Sequence, residues 1–317
     1  MPHADALSVV VHPTTVASAH VPTVAAAIRQ RTGLAVACPA DEAGVAATLA
    51  AACTPILVTY RWRDSYLQPG LRWVQGQGVG YEQYPLDQFR ERGVVLTNAS
   101  GIQSTVIAEH VFALLLGLTR GINHSVRRAT EHRWDGRTDF EIGGMTLGIL
   151  GLGSIGEAIA RRAAGWDLTV IGVKNNPATY RGCVSEVLAP DRLIEVCERA
   201  DILVSCLPGG RQTHRMLSTQ AFAALGAGWF VNVGRGSVVD EPALITALTE
   251  GALRGAGLDV FETEPLPTTS PLWDLPNVII TPHKAGQTPR YPDRLAALVA
   301  TNVEALRGRG PWANRVI

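Results

Sequence analysis

The sequence predicts an α/β protein with two Rossmann-like domains, each built on a parallel sheet, and an active-site cleft between the two domains. Short apolar runs alternate with helical patterns along most of the 317 residues. Near the middle of the chain, the glycine-rich turn at residues 151–156 joins one apolar run to a helical pattern. A chain of this length also corresponds to about two domains. Together these observations predict two doubly wound units.

Composition limits the class of protein. Hydrophobic residues make up 46% of the chain and charged residues 18%, which allows large buried cores. Basic and acidic residues number 28 each, so the formal net charge of zero gives no general attraction to nucleic acid or to an anionic membrane. We therefore expect a soluble globular protein that acts on small molecules, with neither nucleic acid nor membrane as a partner.

The cysteines and the N-terminus indicate a cellular compartment. Five cysteines form no C-x-x-C pair and are odd in number, which favours a reducing compartment over a disulfide framework. Residues 1–5 lack the basic flank of a signal peptide, and no uncharged apolar run reaches the roughly 18 residues of a membrane span. These features predict a cytoplasmic protein.

The first part of the chain predicts the smaller domain. Valine-rich and leucine-rich runs predict strands, and periodic or alanine-rich stretches predict helices. The predicted strands are 7–11, 34–38, 56–59, 71–75 and 94–97, and the predicted helices are 23–31 and 41–52. Ligands bind at the carboxyl ends of such strands, so Arg61 either faces substrate or is a surface arginine beside an aromatic side chain. The segment 76–80 is too glycine-rich for regular structure and can offer N–H groups to an anion.

A long apolar helix at 105–118 predicts the crossing into a second domain. Strands and helices then alternate, which indicates a parallel sheet. The predicted strands end at residues 150, 173, 205, 233, 258 and 280, and the helices are 157–164, 191–199, 241–250 and 294–306. The last helix is expected to return to the first domain. We therefore predict a substrate-binding domain at 1–98 and 287–317 and a dinucleotide-binding domain at 99–286.

The turn Gly151-Leu152-Gly153-Ser154-Ile155-Gly156 has the spacing G-x-G-x-x-G. Gly151 permits the tight turn, Gly153 lets the backbone approach a pyrophosphate, and Gly156 lets the helix pack on the strand. Phosphates would then meet free N–H groups at a helix N-terminus. The motif alone is weak, because glycine-rich turns also arise for packing, but its strand-to-helix context predicts a dinucleotide site.

Three later segments each follow an apolar strand and carry Arg235, Glu264 and His283. Carboxyl ends of parallel strands meet at one edge, so we expect these side chains to converge beside the cofactor. A guanidinium binds a carboxylate in bidentate fashion, and a histidine exchanges a proton near neutral pH. A carboxylate on the far ring nitrogen fixes the tautomer and raises the histidine pKa. Each residue alone has a blander interpretation as a turn or surface residue, but the set predicts a catalytic site.

These segments resemble the D-isomer-specific 2-hydroxyacid dehydrogenase family, and the resemblance covers nearly the whole chain. It implies that Arg235 binds the substrate carboxylate, that His283 is the acid/base and that Glu264 pairs with it. Glu264 is preferred to Glu262 because it is the fifth residue after Asp259, as in the family pattern. A weaker similarity, through segments such as Trp73-Val74-Gln75, is to bacterial and haloarchaeal 2-ketoacid reductases.

The resemblance also implies how the chain binds its ligands. Backbone N–H groups of Gly78, Val79 and Gly80 would bind the substrate carboxylate together with Arg235. Independently of the resemblance, Arg61 and Arg290 are predicted substrate-binding residues, and either would favour a polar or diacid substrate if it points inward. Asp259 would contact the nicotinamide carboxamide, and a homodimer would pack through residues 105–118. The predicted cofactor-binding residues are Gly151, Gly153, Ser154, Ile155, Gly156, Lys174, Asn175, Leu207, Pro208 and Asp259. No metal site is predicted.

Two departures from the family pattern concern the cofactor. Members that use NAD usually place an acidic residue after the second strand, but here Val173 is followed by Lys174. A lysine cannot accept the hydrogen bond of a ribose 2′-hydroxyl but can pair with a 2′-phosphate, so NADP(H) is favoured and NAD(H) remains possible. The second departure is the segment Leu207-Pro208-Gly209-Gly210-Arg211, in which the family commonly has a threonine after the Pro-x pair. Arg211 in this segment either reaches the same phosphate or faces water.

The predicted reaction is hydride transfer between NAD(P)H and a 2-keto acid or D-2-hydroxy acid. The alternatives on the same scaffold are a glyoxylate/hydroxypyruvate reductase and a phosphoglycerate-dehydrogenase-like enzyme. A non-enzyme alternative is a cofactor-sensing protein like the corepressors that share the fold, although no basic patch or disordered tail favours it. The sequence leaves open which keto acid is used.

Overall fold

The computed structural model describes residues 7–14 and 21–317. The prediction that residues 1–5 do not form the start of a signal peptide therefore lies outside the described residues. The chain divides into two compact units. Unit 1 comprises Met1–Gln103 and Gln287–Ile317, and unit 2 comprises Ser104–Gly286. The first division thus lies five residues beyond the predicted one at residue 98, because Ser104 begins the long helix of unit 2. Which unit binds which ligand stays a prediction.

Unit 1 contains a five-stranded parallel sheet with the order β2-β1-β3-β4-β5. Its strands are β1 Leu7–Val11, β2 Ala35–Ala37, β3 Thr54–Thr59, β4 Trp73–Gly76 and β5 Val95–Thr97, and its helices are α1 Val21–Thr32, α2 Glu42–Ala51, α3 Leu86–Arg92 and α10 Tyr291–Leu306. The strand order reverses between β1 and β3, where an open α/β sheet forms a ligand crevice at its carboxyl edge.

Alternation along β1 divides the core of unit 1 between two faces. Val9 and Val11 pack with residues of α1 and α10, whereas Val10 packs with residues of α2 and α3. Helix α10 therefore belongs to unit 1, as the sequence predicts, although it begins at Tyr291 rather than at residue 294. Gly76 closes strand β4, so the prediction that residues 76–80 are all irregular is wrong at its first residue.

Unit 2 contains a seven-stranded parallel sheet with the order β12-β11-β10-β9-β6-β7-β8. Its strands are β6 Thr146–Leu150, β7 Thr169–Val173, β8 Glu186–Leu188, β9 Ile202–Ser205, β10 Trp229–Asn232, β11 Gly255–Leu258 and β12 Val278–Ile280, and its helices are α4 Ser104–Thr119, α5 Ile122–Thr130, α6 Ser154–Ala163, α7 Leu193–Arg199, α8 Thr219–Leu225 and α9 Glu241–Thr249. The order reverses between β6 and β9, which is the doubly wound arrangement.

The strands of unit 2 end in one row. Pairing along the sheet places Val173 opposite Leu150, Leu150 opposite Ser205, and Ser205 opposite Asn232. The row continues through Leu258 to Ile280. Every loop that carries a predicted functional residue of this unit therefore leaves the sheet at the same edge.

Four elements are absent from the sequence-based predictions, namely α3, α5, α8 and β8. Helices α3 and α8 have seven residues each, which is too short for a clear helical period. Helix α5 buries none of its residues, and its apolar side chains Ile122 and Val126 are exposed rather than packed in a core. Strand β8 has three half-buried residues at the sheet edge. Three of the four elements are short and α5 packs no residue into a core, which explains why the four were not predicted.

The glycine turn has the geometry that its spacing predicts. Gly151 has φ +97°, a conformation that favours glycine, and its N–H donates to the Val173 carbonyl over 3.0 Å. A Cβ on Gly156 would collide with the Gly151 carbonyl oxygen. The absence of a side chain at Gly156 therefore lets α6 start directly against the end of β6.

In the described ranges, no single helix is long and apolar enough to cross a membrane. Helices α4 and α5 meet that test together by length and composition, but they are bent by 65° relative to each other. Helix α4 is also the centre of a core in unit 2, where Ile107, Val111 and Leu115 are buried.

We predict that Gly156→Ala lowers the free energy of unfolding by about 1 to 3 kcal/mol, because its methyl group overlaps the Gly151 carbonyl. Urea denaturation followed by circular dichroism measures this change. Gly165→Ala is the matched control, since a Cβ there meets open space at an ordinary φ. Equal stability of the two variants would contradict the close approach.

Candidate active site

A pocket of about 800 Å³ lies at the carboxyl edge of the unit 2 sheet. Its lining comes from the glycine turn, the end of β7, the segment before α7 and the loop after β9. Those residues are Leu150, Gly151, Leu152, Gly153, Val173, Lys174, Asn175, Asn176, Pro190, Leu193, Leu207, Pro208, Gly209, Gly210, Arg211, Gln212, Thr213 and Met216. The pocket is large enough for part of a dinucleotide and sits at the reversal of strand order.

The N-terminus of α6 opens beside this pocket. Gly153 is the N-cap residue of the helix, and a Cβ built on it meets no atom within 4 Å. Unpaired N–H groups at a helix N-terminus favour a phosphate. Among the predicted cofactor-binding residues of the turn, Gly151 and Gly153 line the pocket, whereas Ser154, Ile155 and Gly156 lie within the first turn of the helix.

Lys174 lines the pocket immediately after β7. Its backbone N–H donates to the Leu188 carbonyl over 3.0 Å, and its Nζ donates to the Leu152 carbonyl over 2.9 Å. The ammonium is thereby held near the glycine turn, with donors remaining for an anion. Asn175 and Arg211 line the same pocket and are exposed. The side chains after β7 are thus cationic or neutral, with no carboxylate among Lys174, Asn175 and Asn176.

His283 and Glu264 are in direct contact, as the sequence predicts. The His283 Nδ1 lies 2.7 Å from the Glu264 Oε2, although 19 residues separate them. Glu264 also accepts a hydrogen bond of 3.0 Å from the Phe261 N–H through Oε1. Because Nδ1 is engaged, Nε2 is the nitrogen available to exchange a proton with a substrate.

This pairing shifts both groups toward their charged forms. The hydrogen bond that His283 donates to Glu264 raises the pKa of His283, whereas burial and the nearby Arg235 charge lower it to a smaller extent. Burial would raise the pKa of Glu264, but the hydrogen bonds from His283 and the Phe261 N–H lower it overall. The imidazole is therefore biased toward the protonated form that an acid catalyst needs.

Arg235 lies in the loop after β10, between two glycines. Its guanidinium donates to the Gly234 carbonyl over 2.9 Å, and the Asn232 amide holds the loop through the Arg235 carbonyl and the Gly234 N–H. The Arg235 charge acts on both His283 and Glu264. The structure thus brings the three predicted side chains within electrostatic range of one another at one edge of the sheet.

Asp259 is almost completely buried, with 1% of its surface exposed. Its carboxylate accepts hydrogen bonds from the Thr281 hydroxyl at 2.5 Å and from the Lys284 and Ala285 N–H groups at 2.9 Å each. Three hydrogen bonds within the protein use much of the accepting capacity of a carboxylate. Asp259 therefore holds the loop that carries His283, a role that the sequence did not indicate.

Among the predicted substrate-binding residues of unit 1, Arg61 follows β3 and Gly78 and Val79 follow β4, whereas Arg290 precedes α10. Gly78 accepts a hydrogen bond of 2.8 Å from the Ala99 N–H, and Val79 is 37% exposed. The Arg61 N–H donates to the Thr59 hydroxyl, and its side chain is exposed. Arg290 is exposed where α10 begins. Their roles stay predictions.

No group of three or more potential metal ligands occurs in the described ranges, 7–14 and 21–317. A glycine turn at the reversal of a doubly wound sheet, together with an arginine, a carboxylate and a histidine at the same edge, defines a dinucleotide-dependent oxidoreductase.

Comparison with known proteins identifies the family. The profile for the D-isomer specific 2-hydroxyacid dehydrogenase, NAD binding domain, matches residues 112–285. The chain is 35% identical over 256 residues to glyoxylate/hydroxypyruvate reductase B of Pectobacterium carotovorum, covering 76% of this chain and 77% of that protein. It therefore belongs to the D-isomer-specific 2-hydroxyacid dehydrogenase family, and it is an NAD(P)-dependent enzyme of that family.

Two further comparisons agree. D-3-phosphoglycerate dehydrogenase of Mycobacterium tuberculosis is 38% identical over 247 residues, which cover 76% of this chain but 46% of that protein. The crystal structure of an NADPH-dependent glyoxylate/hydroxypyruvate reductase from Sinorhizobium meliloti, in complex with citrate, has a TM-score of 0.82 and 28% identity. That match covers 98% of this chain and 97% of the solved chain. The predicted α/β class with two parallel sheets is confirmed.

We predict that Glu264→Gln lowers the pKa of His283, because the charged partner that raises it is lost. The wild-type imidazole should titrate above 6.5, its ordinary value, and the variant closer to or below it. NMR titration of the histidine ring protons measures both. Glu262→Gln is the matched control, since Glu262 pairs with Arg215. An unchanged midpoint in Glu264→Gln would show that the pair does not set the titration.

Proposed function

We propose that this enzyme reduces a 2-keto acid to a D-2-hydroxy acid, with His283 as the proton donor, Glu264 as its partner and Arg235 as the carboxylate-binding group. The observation that carries this proposal is the contact of 2.7 Å between His283 Nδ1 and Glu264 Oε2, with Arg235 within electrostatic range. A bound reduced nicotinamide would supply the hydride to the keto carbon. The rest of the chemistry belongs to side chains of this chain.

His283 supplies the proton. Because Glu264 raises its pKa, the ring is protonated over a wider pH range, and Nε2–H can donate to the keto oxygen as that oxygen becomes an alcohol. The remaining neutral ring keeps its Nδ1 proton directed at Glu264, so the tautomer is already correct for recharging from solvent. In the reverse direction, the neutral ring would accept the alcohol proton.

Arg235 supplies charge and orientation. Its backbone is held by Asn232 and its Nη1 by the Gly234 carbonyl, so the other guanidinium N–H groups remain to bind a carboxylate. A fixed cation beside the reacting carbonyl also stabilises the negative charge that grows on oxygen. Held between this cation and the acid, a keto acid would be oriented for transfer, which supplies much of a rate enhancement.

The residues of the unit 2 pocket fit a dinucleotide, and we propose NADP(H) as the preferred one, with NAD(H) as the alternative. Gly153 leaves space for a pyrophosphate at the α6 N-terminus, and Lys174 offers remaining ammonium donors at the end of β7. Lysine can pair with a 2′-phosphate. The NADPH-dependent enzyme from Sinorhizobium meliloti supports this preference. Arg211, on the opposite loop of the pocket, is a second candidate for the phosphate.

Glyoxylate and hydroxypyruvate are the substrates that the relatives favour. The Pectobacterium and Sinorhizobium proteins are named for both compounds, and they match this chain over more than three quarters of their length. Oxidation of 3-phosphoglycerate is the second candidate, supported by the Mycobacterium relative. Rates with glyoxylate, hydroxypyruvate and 3-phosphohydroxypyruvate, each with NADPH and NADH, would rank these possibilities.

We propose that Gly78, Val79, Gly80, Arg61 and Arg290 contribute to substrate binding.

We also propose a cytoplasmic homodimer. All five cysteines are free, which favours a reducing compartment. Most apolar residues of the predicted contact at 105–118 pack inside unit 2, so the contact would involve neighbouring side chains. Ile122, Val126 and Trp134 are exposed by 55%, 58% and 103%, and such apolar exposure is typical of an interface.

His283→Ala is expected to lower kcat for 2-keto acid reduction by about 100-fold to 10,000-fold, because the proton donor is removed. The KM for the keto acid should change far less, since Arg235 remains. Steady-state assays with NADPH and glyoxylate measure both constants. His214→Ala is the matched control on the exposed loop after β9. A variant of His283 with near-normal turnover would exclude this residue as the acid.

Lys174→Met is expected to lower kcat/KM for NADPH about tenfold or more, because a charge-assisted contact to the 2′-phosphate is lost. The value for NADH should change little. Arg181→Met serves as the control, since it removes a cation from the same segment outside the pocket lining. A parallel loss with both cofactors, or a wild-type preference for NADH, would contradict the phosphate contact.

A further inference from the structure

A partly buried hydrogen-bond network, with the buried Asp259 at its centre, contacts the loop that carries His283. It connects helix α4, the end of β11 and the loop after β12, all within unit 2. At its centre, the Asp259 carboxylate accepts the Thr281 hydroxyl and two N–H groups of the loop. The far end of the network is His110 on α4, whose Nε2 lies 2.9 Å from the Thr281 Oγ1.

The direction of each hydrogen bond follows from the chemistry of the groups. The hydroxyl of Thr281 has one proton, and its contact of 2.5 Å with a carboxylate uses that proton. Towards His110, the Thr281 oxygen must therefore accept. The proton of His110 accordingly resides on Nε2, and the chain of donors runs from His110 through Thr281 to Asp259.

The same network fixes the catalytic turn. The His283 N–H donates to the Asp259 backbone carbonyl over 2.8 Å, while the Lys284 and Ala285 N–H groups donate to the Asp259 side chain. His283 has φ +46°, a left-handed conformation that is uncommon outside glycine and needs support from its surroundings. One buried aspartate thus holds the backbone on both sides of the His283 Cα.

The charged groups that face His110 are Asp259, whose Oδ1 lies 3.6 Å from Nε2, and Lys284. Its neighbour on α4, Glu109, is directed instead at Arg162 of α6. Burial lowers the pKa of His110, Asp259 opposes this effect and Lys284 adds to it. His110 is therefore neutral near physiological pH and serves as a hydrogen-bond donor rather than as a second acid.

We propose that His110 is a positioning residue for the reaction: by donating to Thr281, it fixes the Thr281–Asp259 hydrogen bond and thereby the turn that directs His283 at Glu264 and substrate. This inference rests on the proposed role of His283 as proton donor. His110 touches neither reacting atoms nor Glu264, and its effect passes through Thr281 and Asp259. The geometry assigns this role to His110, which lies outside the glycine turn and outside the segments that carry Arg235, Glu264 and His283.

The test compares His110→Phe, which keeps a ring but loses the donor, with His110→Gln, whose amide can still donate to Thr281. For His110→Phe we expect kcat to fall about tenfold, because a small displacement of a catalytic group costs rate, while KM for the keto acid changes less than about twofold. The midpoint of the kcat–pH profile should move to lower pH, since a looser turn weakens the pairing that raises the pKa of His283. His110→Gln should retain most of the wild-type kcat and midpoint.

Two controls separate positioning from general damage. His124→Phe removes a histidine on the neighbouring helix α5, where it pairs with Asp135, and should leave kcat and the pH midpoint unchanged. Thr281→Val removes the middle of the network, so its effect on kcat should not add to that of His110→Phe, as for residues in one network.

The outcomes distinguish this inference from the proposed function. A kcat and pH midpoint that are unchanged in His110→Phe, with His283→Ala inactive, would overturn only the positioning role. The positioning role would also be overturned if the losses in kcat of His110→Phe and Thr281→Val added up in the variant that carries both substitutions. The same holds if His110→Gln were as impaired as His110→Phe. Near-normal turnover of His283→Ala would instead remove the proposed function on which the inference rests.

Discussion

The hydrogen bond between His283 and Glu264 is the contact on which the proposed chemistry of this enzyme depends. It joins loops that follow β12 and β11, and it forms because these strands end in register, with Leu258 opposite Ile280. Parallel pairing at this point places the two loops side by side, and Asp259 then ties them together through backbone and side-chain hydrogen bonds. The acidic partner both orients the imidazole and biases it toward its charged form.

The same row of strand ends explains why one sheet edge can bind a dinucleotide and carry the proposed acid. The glycine turn follows β6, Lys174 follows β7 and Arg235 follows β10, all at the edge where His283 lies. The chain has no net charge, so attraction of an anionic cofactor and substrate must come from a few local cations. In unit 2, Lys174 lies in the lining of the pocket and Arg235 lies near His283 and Glu264, where we propose that they bind these anions.

Much of this arrangement could be predicted from the sequence, because the residues concerned follow buried apolar strands that are easy to recognise. The doubly wound class and the contact between Glu264 and His283 are of this kind. Helix α5 and strand β8 could not be predicted, since neither buries a continuous apolar face. His110 was missed for another reason: it lies on an apolar core helix, and its partner Thr281 is 171 positions away in the sequence. The hydrogen bonds of the Asp259 carboxylate could not be predicted either, because two of their donors are backbone N–H groups, which almost every residue type has.

The account is tested most directly by the rate of nicotinamide oxidation in a single turnover, measured with NADPH-loaded enzyme and excess glyoxylate between about pH 5 and 9, the range in which a histidine titrates. If protonated His283 supplies the proton, the rate is highest at low pH and falls as the pH rises through a midpoint above 6.5. A rate that is constant across this range, or that rises with pH, would contradict the assignment of His283 as the acid.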